Sequence, residues 1–332
     1  MRMKYNFIYF IFLINAIYSV GILPAAGILS AIAGPYLLNK YRDSFCYIGE
    51  CCKDALNFDE EELRENLESH IFGQNFALER VLSLIKSHLK NPNPLKPLVL
   101  SFHGSTGVGK TFMATQIVDS IYRYGKKSKY YHFFDSSRDF IHASKSNEYK
   151  DKIIEAVTHA STRCERNFFI FDEIHKMPPN VLDALTPFLG YRDEIDGYDF
   201  RKNIFIFLSN TGGASINNFI YNAHMDGIKR YDIDYQFLSK KITSEAFLTD
   251  GGLKMSELIN QHFISDVIIF LPLDVAHVEK CIRIAAKQRN VTINSKIVES
   301  VKSELLWFPE DSQLFCQSGC KLISDKIGLY LD

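Results

Sequence analysis

At 332 residues, 46% hydrophobic and 23% charged, the chain can bury a large core, and one large domain plus a smaller one is the natural expectation. Its 38 basic and 39 acidic side chains leave a formal net charge of -1, which removes the electrostatic case for nucleic acid as a partner. Seven cysteines without a pair of C-x-x-C motifs argue against a zinc site, and the odd count leaves at least one thiol unpaired within the chain.

The N-terminus sets the compartment. Arg2 and Lys4 precede an apolar run over 5–18, and the small residues Ser19 and Gly21 follow. Basic start, apolar middle and small residues near a cleavage point describe a secretory signal peptide, assigned here to 1–20. A second apolar stretch continues to Leu38, interrupted by Pro24, Gly27, Gly34 and Pro35. A spanning helix needs about 20 apolar residues, so the two stretches together could form an uncleaved anchor. The preferred reading is a segment over 21–40 that lies on or dips into the bilayer, giving peripheral membrane association. In a secretory compartment disulfides become the default. Cys46, Cys51 and Cys52 sit in an N-terminal extension over 41–70.

An acidic helical pattern covers 59–68. Ile71-Phe72-Gly73-Gln74 breaks it, and helical spacing resumes over 76–89 until the turn Asn91-Pro92-Asn93-Pro94. The apolar run 98–102 predicts a buried strand. It leads into His103-Gly104-Ser105-Thr106-Gly107-Val108-Gly109-Lys110-Thr111, which contains G-x-x-x-x-G-K-T. A helical pattern over 112–124, opening at Phe112, follows. Strand, glycine loop and helix in that order make a phosphate-binding loop. Its glycines let the backbone wrap an anion, and the loop N–H groups face it. Lys110 would reach the β- and γ-phosphates of a nucleotide, and Thr111 would hold Mg²⁺.

Residues 130–134 predict a strand, 136–145 a polar loop, and 149–164 a helix. The run Phe168-Phe169-Ile170-Phe171 then delivers Asp172 and Glu173. In open α/β sheets ligands sit at the carboxyl edge, so these acids are candidates for a metal ligand and a general base. A short helix over 181–189, a hairpin-like loop over 193–202 and a strand over 204–208 follow, the strand ending at Ser209-Asn210. The Asn210 amide is placed to orient a water or contact the γ-phosphate. A further strand over 267–271 ends at Pro272. From there the pattern is helical: 275–288, 295–306 and 321–330. Asn290-Val291-Thr292 is a glycosylation sequon, with Asn290 the acceptor in a lumen.

Three of these motifs carry a resemblance. The loop of Gly104, Phe171-Asp172-Glu173-Ile174-His175-Lys176 and Phe207-Leu208-Ser209-Asn210 resemble Walker A, Walker B and sensor 1 of the Clp-type AAA+ ATPases. Gly73-Gln74 is similar to the short upstream motif of that branch that helps form the adenine pocket. The resemblance therefore assigns Phe72, Gly73, the loop residues and Phe112 to the nucleotide, Asp172 with Thr111 to Mg²⁺, and Glu173 and Asn210 to catalysis. It implies an α/β fold: a parallel-sheet P-loop core over 71–272 and a helical lid over 273–332.

Within that branch the chain resembles the torsins. The secretory start, the cluster Cys46, Cys51 and Cys52, and Gly319-Cys320-Lys321 carry the match, the last resembling the torsin sensor 2 with Lys321 as sensor. Torsins often have Asn after the Walker A lysine; Thr111 is the ordinary P-loop residue. Between Arg230 and Arg283 the chain has no arginine to serve as a finger for a neighbouring subunit. The resemblance implies that the luminal domain of a transmembrane partner, of the lamina-associated polypeptide family, supplies it. It also implies a homo-oligomer in the endoplasmic reticulum lumen and nuclear envelope that remodels proteins or membranes as a chaperone. Two rivals stand beside that reading: a nucleotide-gated scaffold with little hydrolysis, and a self-sufficient Clp-type unfoldase. No clear aromatic-glycine pore loop supports the latter. A bridge between Cys281 and Cys320 would tie the first lid helix to the start of the last, beside Lys321. Cys316 is expected to be unpaired, and Cys164 to pair with the N-terminal cysteine cluster.

Overall fold

A computed structural model describes residues 50–330. The signal peptide, the membrane segment and Cys46 lie outside the described residues. The chain divides after Asp54, and the described residues before that point end in a 3-10 turn at Cys52–Asp54. The unit from Ala55 onward carries all the structure below.

Helix α1 (Glu60–His70) begins on Asp59, whose Oδ1 accepts the Glu61 and Glu62 N–H groups at 2.8 and 3.0 Å. The cap and the glutamates of the first turn suit the positive end of the helix dipole. Helix α2 (Asn75–Lys90) buries Ala77, Leu78, Val81, Leu82 and Ile85, one stripe at helical spacing. Strand β1 (Leu98–His103) is buried throughout. Helix α3 (Lys110–Ile121), strand β2 (Tyr131–Asp135), helix α4 (Ser146–Arg163), strand β3 (Phe168–Asp172) and strand β4 (Ile204–Ser209) follow. The segment expected as a polar loop before α4 contains a helical turn at Ser136–Asp139, capped by Asp135. The short helix expected over 181–189 is a 3-10 turn, Leu182–Leu185, running into Thr186–Leu189. The hairpin-like loop closes on one bridge between Ile195 and Tyr198.

Two long helices escape the sequence pattern, α5 (Gly213–Met225) and α6 (Tyr235–Leu248), as does the single turn Glu257–Asn260. The first starts on Gly212-Gly213, which reads as a turn, and its buried Ile216, Ile220 and Ala223 lie among asparagines. They are held by packing with Leu238 and Ile242 of α6 and with Val267 and Ile269 beside them. Strand β5 (Asp266–Ile269) completes a five-stranded parallel sheet of order β2-β3-β4-β1-β5. In register, His103 faces Ser209 and Asp135 faces Asp172. The P-loop, the acidic pair and Asn210 therefore leave the sheet at one carboxyl edge. Stacked rings brace three strands: Phe134 on Phe171 at 4.7 Å, His132 on Phe169 at 4.8 Å and Phe169 on Phe205 at 4.9 Å.

The lid has its own core. Strand β6 (Leu273–Asp274), helices α7 (Val275–Gln288) and α8 (Ser295–Ser303), strands β7 (Trp307–Phe308) and β8 (Phe315–Cys316), and helix α9 (Ile323–Gly328) surround Val278, Ile282, Val298, Val301 and Ile327. Both later helices are shorter than their patterns predict. Their end residues are turns or irregular, and between the two helices the chain adds strands of a small antiparallel sheet, β6-β8-β7, whose two-residue strands carry no periodicity to detect. Among the described residues no helix is long and apolar enough to cross a membrane.

Candidate nucleotide-binding site

Between β1 and α3 the chain turns on Gly107 (φ 78°) and Gly109 (φ 104°), left-handed conformations that favour glycine. Lys110 is 7% exposed, and its Nζ donates to the Gly104 and Ser105 carbonyls at 2.7 and 2.8 Å. Burial pushes this ammonium down to about 8, against the opposing pull of Asp172 and Glu173. A desolvated cation on a glycine cradle is the chemistry of an anion site.

Asn210 joins the three motifs. Its Oδ1 accepts from Lys110 Nζ at 2.8 Å, and its Nδ2 donates to Glu173 Oε1 at 3.3 Å. Its backbone N–H donates to His175 Nδ1 at 3.3 Å. Beside them Thr111 Oγ1 donates to Asp172 Oδ2 at 2.9 Å. Burial pushes the Asp172 carboxyl up, against the hydrogen bonds from Thr111 and the Glu173 N–H. A cation beside it would reverse that shift. Among the described residues no three His, Cys, Asp or Glu form a metal cluster. One hydroxyl and one carboxylate fit Mg²⁺, which keeps several waters and completes its shell with phosphate oxygens. On Glu173 burial works against charge, but the hydrogen bond from Lys176 together with the His175, Lys176 and Lys110 charges holds the carboxyl below its ordinary value.

These groups open into a cavity of about 460 Å³. Its lining takes Thr106, Gly107, Val108, Gly109, Lys110, Thr111 and Phe112 from the loop and α3, Glu173 and Asn210 from the sheet edge, Ile71 and Phe72 from before α2, and Ile284, Ala285 and Gln288 from α7. The apolar residues suit a base and the loop suits phosphates. Gly73 does not line this cavity. Its carbonyl is held from behind by Arg230, at 3.0 Å from Nε and 2.6 Å from Nη2, and a Cβ there would lie 2.9 Å from the His277 ring. Gly104 and Ser105 act through their carbonyls on Lys110 rather than as lining.

The lid closes on the loop. The Cys320 N–H donates to the Gly107 carbonyl at 3.0 Å, and Lys321 lines the cavity. Gly319 is left-handed (φ 53°), and a Cβ there would lie 2.2 Å from that same carbonyl. Cys281 of α7 is bonded to Cys320, with Cα atoms 6.0 Å apart. Cys320 lies in the turn before α9 rather than on the helix as expected, because α9 starts only at Ile323. Cys316 is buried and free. Cys51, Cys52 and Cys164 are disulfide-bonded. Asn290 is exposed just beyond α7.

Gln74 and Arg230 hold the site from outside it: the short motif around Gln74 does not show that its buried amide bonds to Val108, and nothing local marks Arg230. Arg230 also donates to the Pro272 carbonyl at 2.8 Å, so one guanidinium fastens Gly73 to the junction of core and lid.

Comparison with known proteins agrees with this architecture. The family model "Torsin" matches residues 46–171, and "Torsin-1A, C-terminal domain" matches 273–330. A "Torsin-like protein" of Caenorhabditis elegans is 37% identical over 288 residues, 86% of this chain and 81% of the relative. One of Drosophila melanogaster is 36% identical over 295 residues, 86% of each. Among solved structures, the S. cerevisiae Hsp104–ADP complex superposes with a TM-score of 0.56 at 18% identity, covering 81% of this chain and 46% of that one. Hsp104 with ATPγS and FITC casein superposes with a TM-score of 0.55 at 17% identity over the same shares. These structural likenesses extend to the fold.

Proposed function

Because the chain belongs to the torsin family and has an AAA+ fold, we propose that it binds and hydrolyses ATP with Mg²⁺ in the endoplasmic reticulum lumen and perinuclear space, when a membrane partner supplies an arginine. One observation carries the catalytic reading: Asn210 links Lys110 to Glu173 in the lining of a single cavity. Lys110 binds the β- and γ-phosphates, and Thr111 with Asp172 holds the metal. When bound, Mg²⁺ neutralises charge on the phosphate oxygens. Glu173 accepts the proton of the attacking water, and Asn210 fixes its carboxylate. Lys321, on the lid, senses the γ-phosphate.

Between Arg230 and Arg283 the chain has no arginine to offer the site of a neighbouring copy. Lack of a finger costs about 10³–10⁵ in turnover, so the chain alone should be a slow ATPase. The Cys281–Cys320 bridge supports an oxidising compartment. The work is chaperone-like remodelling, with peripheral membrane association through 21–40 and assembly with copies of itself. The test is ATP turnover with and without the luminal domain of a lamina-associated-polypeptide-type activator, and with that domain lacking its arginine. The intact domain alone should stimulate. Full turnover without it would favour a self-sufficient unfoldase. Tight ATP binding without turnover in any mixture would favour a scaffold.

A further inference from the structure

The Glu173 carboxylate is engaged on both oxygens by the chain itself. Oε2 lies 2.7 Å from the Lys176 ammonium, and Oε1 accepts the Asn210 amide. The backbone imposes the first contact. Glu173 is left-handed (φ 56°, ψ 35°) and opens the 3-10 turn Ile174–Lys176, in which the Lys176 N–H donates to the Glu173 carbonyl at 2.8 Å. A 3-10 turn sets residues i and i+3 over one another, so a long cation at 176 comes to rest on the carboxylate at 173. A non-glycine residue held at positive φ beside a reacting group points to a functional constraint.

A general base needs an oxygen within reach of its water. An ammonium on Oε2 and an amide on Oε1 occupy the two oxygens that could face that water. We propose that Lys176 is a positioning residue that parks Glu173 in the resting protein, and that hydrolysis requires Glu173 to leave it. The idea rests on the ATPase reading above and names the brake within it. Lys176 keeps a side-chain exposure of 51%, so it can move off without disturbing the core.

The test has two parts. The first is independent of turnover: the acetylation rate of the Lys176 amine in the nucleotide-free protein, read by mass spectrometry, in the parent and in Glu173→Gln. The glutamine cannot hold an ammonium as an ion pair, so Lys176 should react several-fold faster in the variant. Equal rates overturn the parked pair whether or not the protein hydrolyses ATP. The second is single-turnover hydrolysis of bound ATP with the activator present. Lys176→Met should speed it by about three- to tenfold, with ATP affinity within about twofold of the parent, while Lys176→Arg restores the parent rate. A methionine variant no faster than a parent that does hydrolyse, or one whose affinity shifts as much as its rate, sinks the brake alone. A parent that binds ATP but never hydrolyses it sinks the ATPase reading and the brake with it.

Discussion

Gln74 and Leu271, 197 residues apart, exchange two hydrogen bonds through one side chain: Nε2 donates to the Leu271 carbonyl and Oε1 accepts the Leu271 N–H, both at 2.8 Å. Nε2 also donates to the Val108 carbonyl at 3.1 Å, and the residue is 2% exposed. One amide thus fastens the P-loop to the end of the strand that leads into the lid. Gln74→Ala leaves one N–H and two carbonyls without that partner, an expected loss of about 2–4 kcal/mol. Gln74→Glu should be at least as damaging, since it faces two carbonyl oxygens with no amide donor. Urea unfolding checks both, and a Gln74→Glu protein as stable as the parent would show that the two donated bonds carry little.

The site assignment predicts opposite outcomes for two substitutions. Lys110→Ala removes the buried cation on the Gly104 and Ser105 carbonyls, and ATP binding should fall below detection. Glu173→Gln keeps the shape but accepts no proton, so ATP should bind and persist, with activator-stimulated turnover reduced by at least about a hundredfold. Equilibrium binding and a phosphate-release assay separate the two. Ordinary turnover in Glu173→Gln would strip that residue of its role.

The bridge between Cys281 and Cys320 adjoins the contact of Cys320 N–H with the Gly107 carbonyl. Reduction frees the turn that carries Lys321 from α7, and should change the ratio of ATP to ADP affinity. Cys320→Ser should show the altered ratio without reductant and no further response to it. Affinities measured with and without reductant decide the matter: a parent that does not respond makes the bridge purely structural.

Acid should destabilise the protein through two buried imidazoles. Burial, with the Arg166 charge behind it, pushes His88 down to about 4, and burial, with Lys110 and His175, does the same to His103. Between about pH 6.5 and 4 the unfolded chain binds these protons and the folded one does not, so stability falls as pH falls through that window. The loss approaches about 3 kcal/mol for each imidazole at the acid end. Urea midpoints from pH 7.5 to 5.0 should decline, and His88→Gln should flatten the decline. An unchanged slope in that variant would place the acid sensitivity elsewhere.

Much of the core was legible in the chain itself. Buried parallel strands read as unbroken apolar runs, which is why β1, β3 and β4 could be placed. The glycine loop and the Asp172-Glu173 pair are local chemistry at fixed spacing, visible before any fold exists. Helices α5 and α6 were not legible, because their sparse apolar positions become a stripe only against β5. Gly73 matched a motif, but it lies outside the cavity lining, its carbonyl held by Arg230, 157 residues further on. The Cys281–Cys320 bridge and the free Cys316 expected from the sequence are both present. The fold supplies the reason, burying Cys316 in β8 between Leu273 and Trp307 while bringing Cys281 and Cys320 together. Local spacing determines which groups a segment can offer. Which of them meet is decided by contacts between residues far apart in sequence, and those exist only once the sheet and lid have packed.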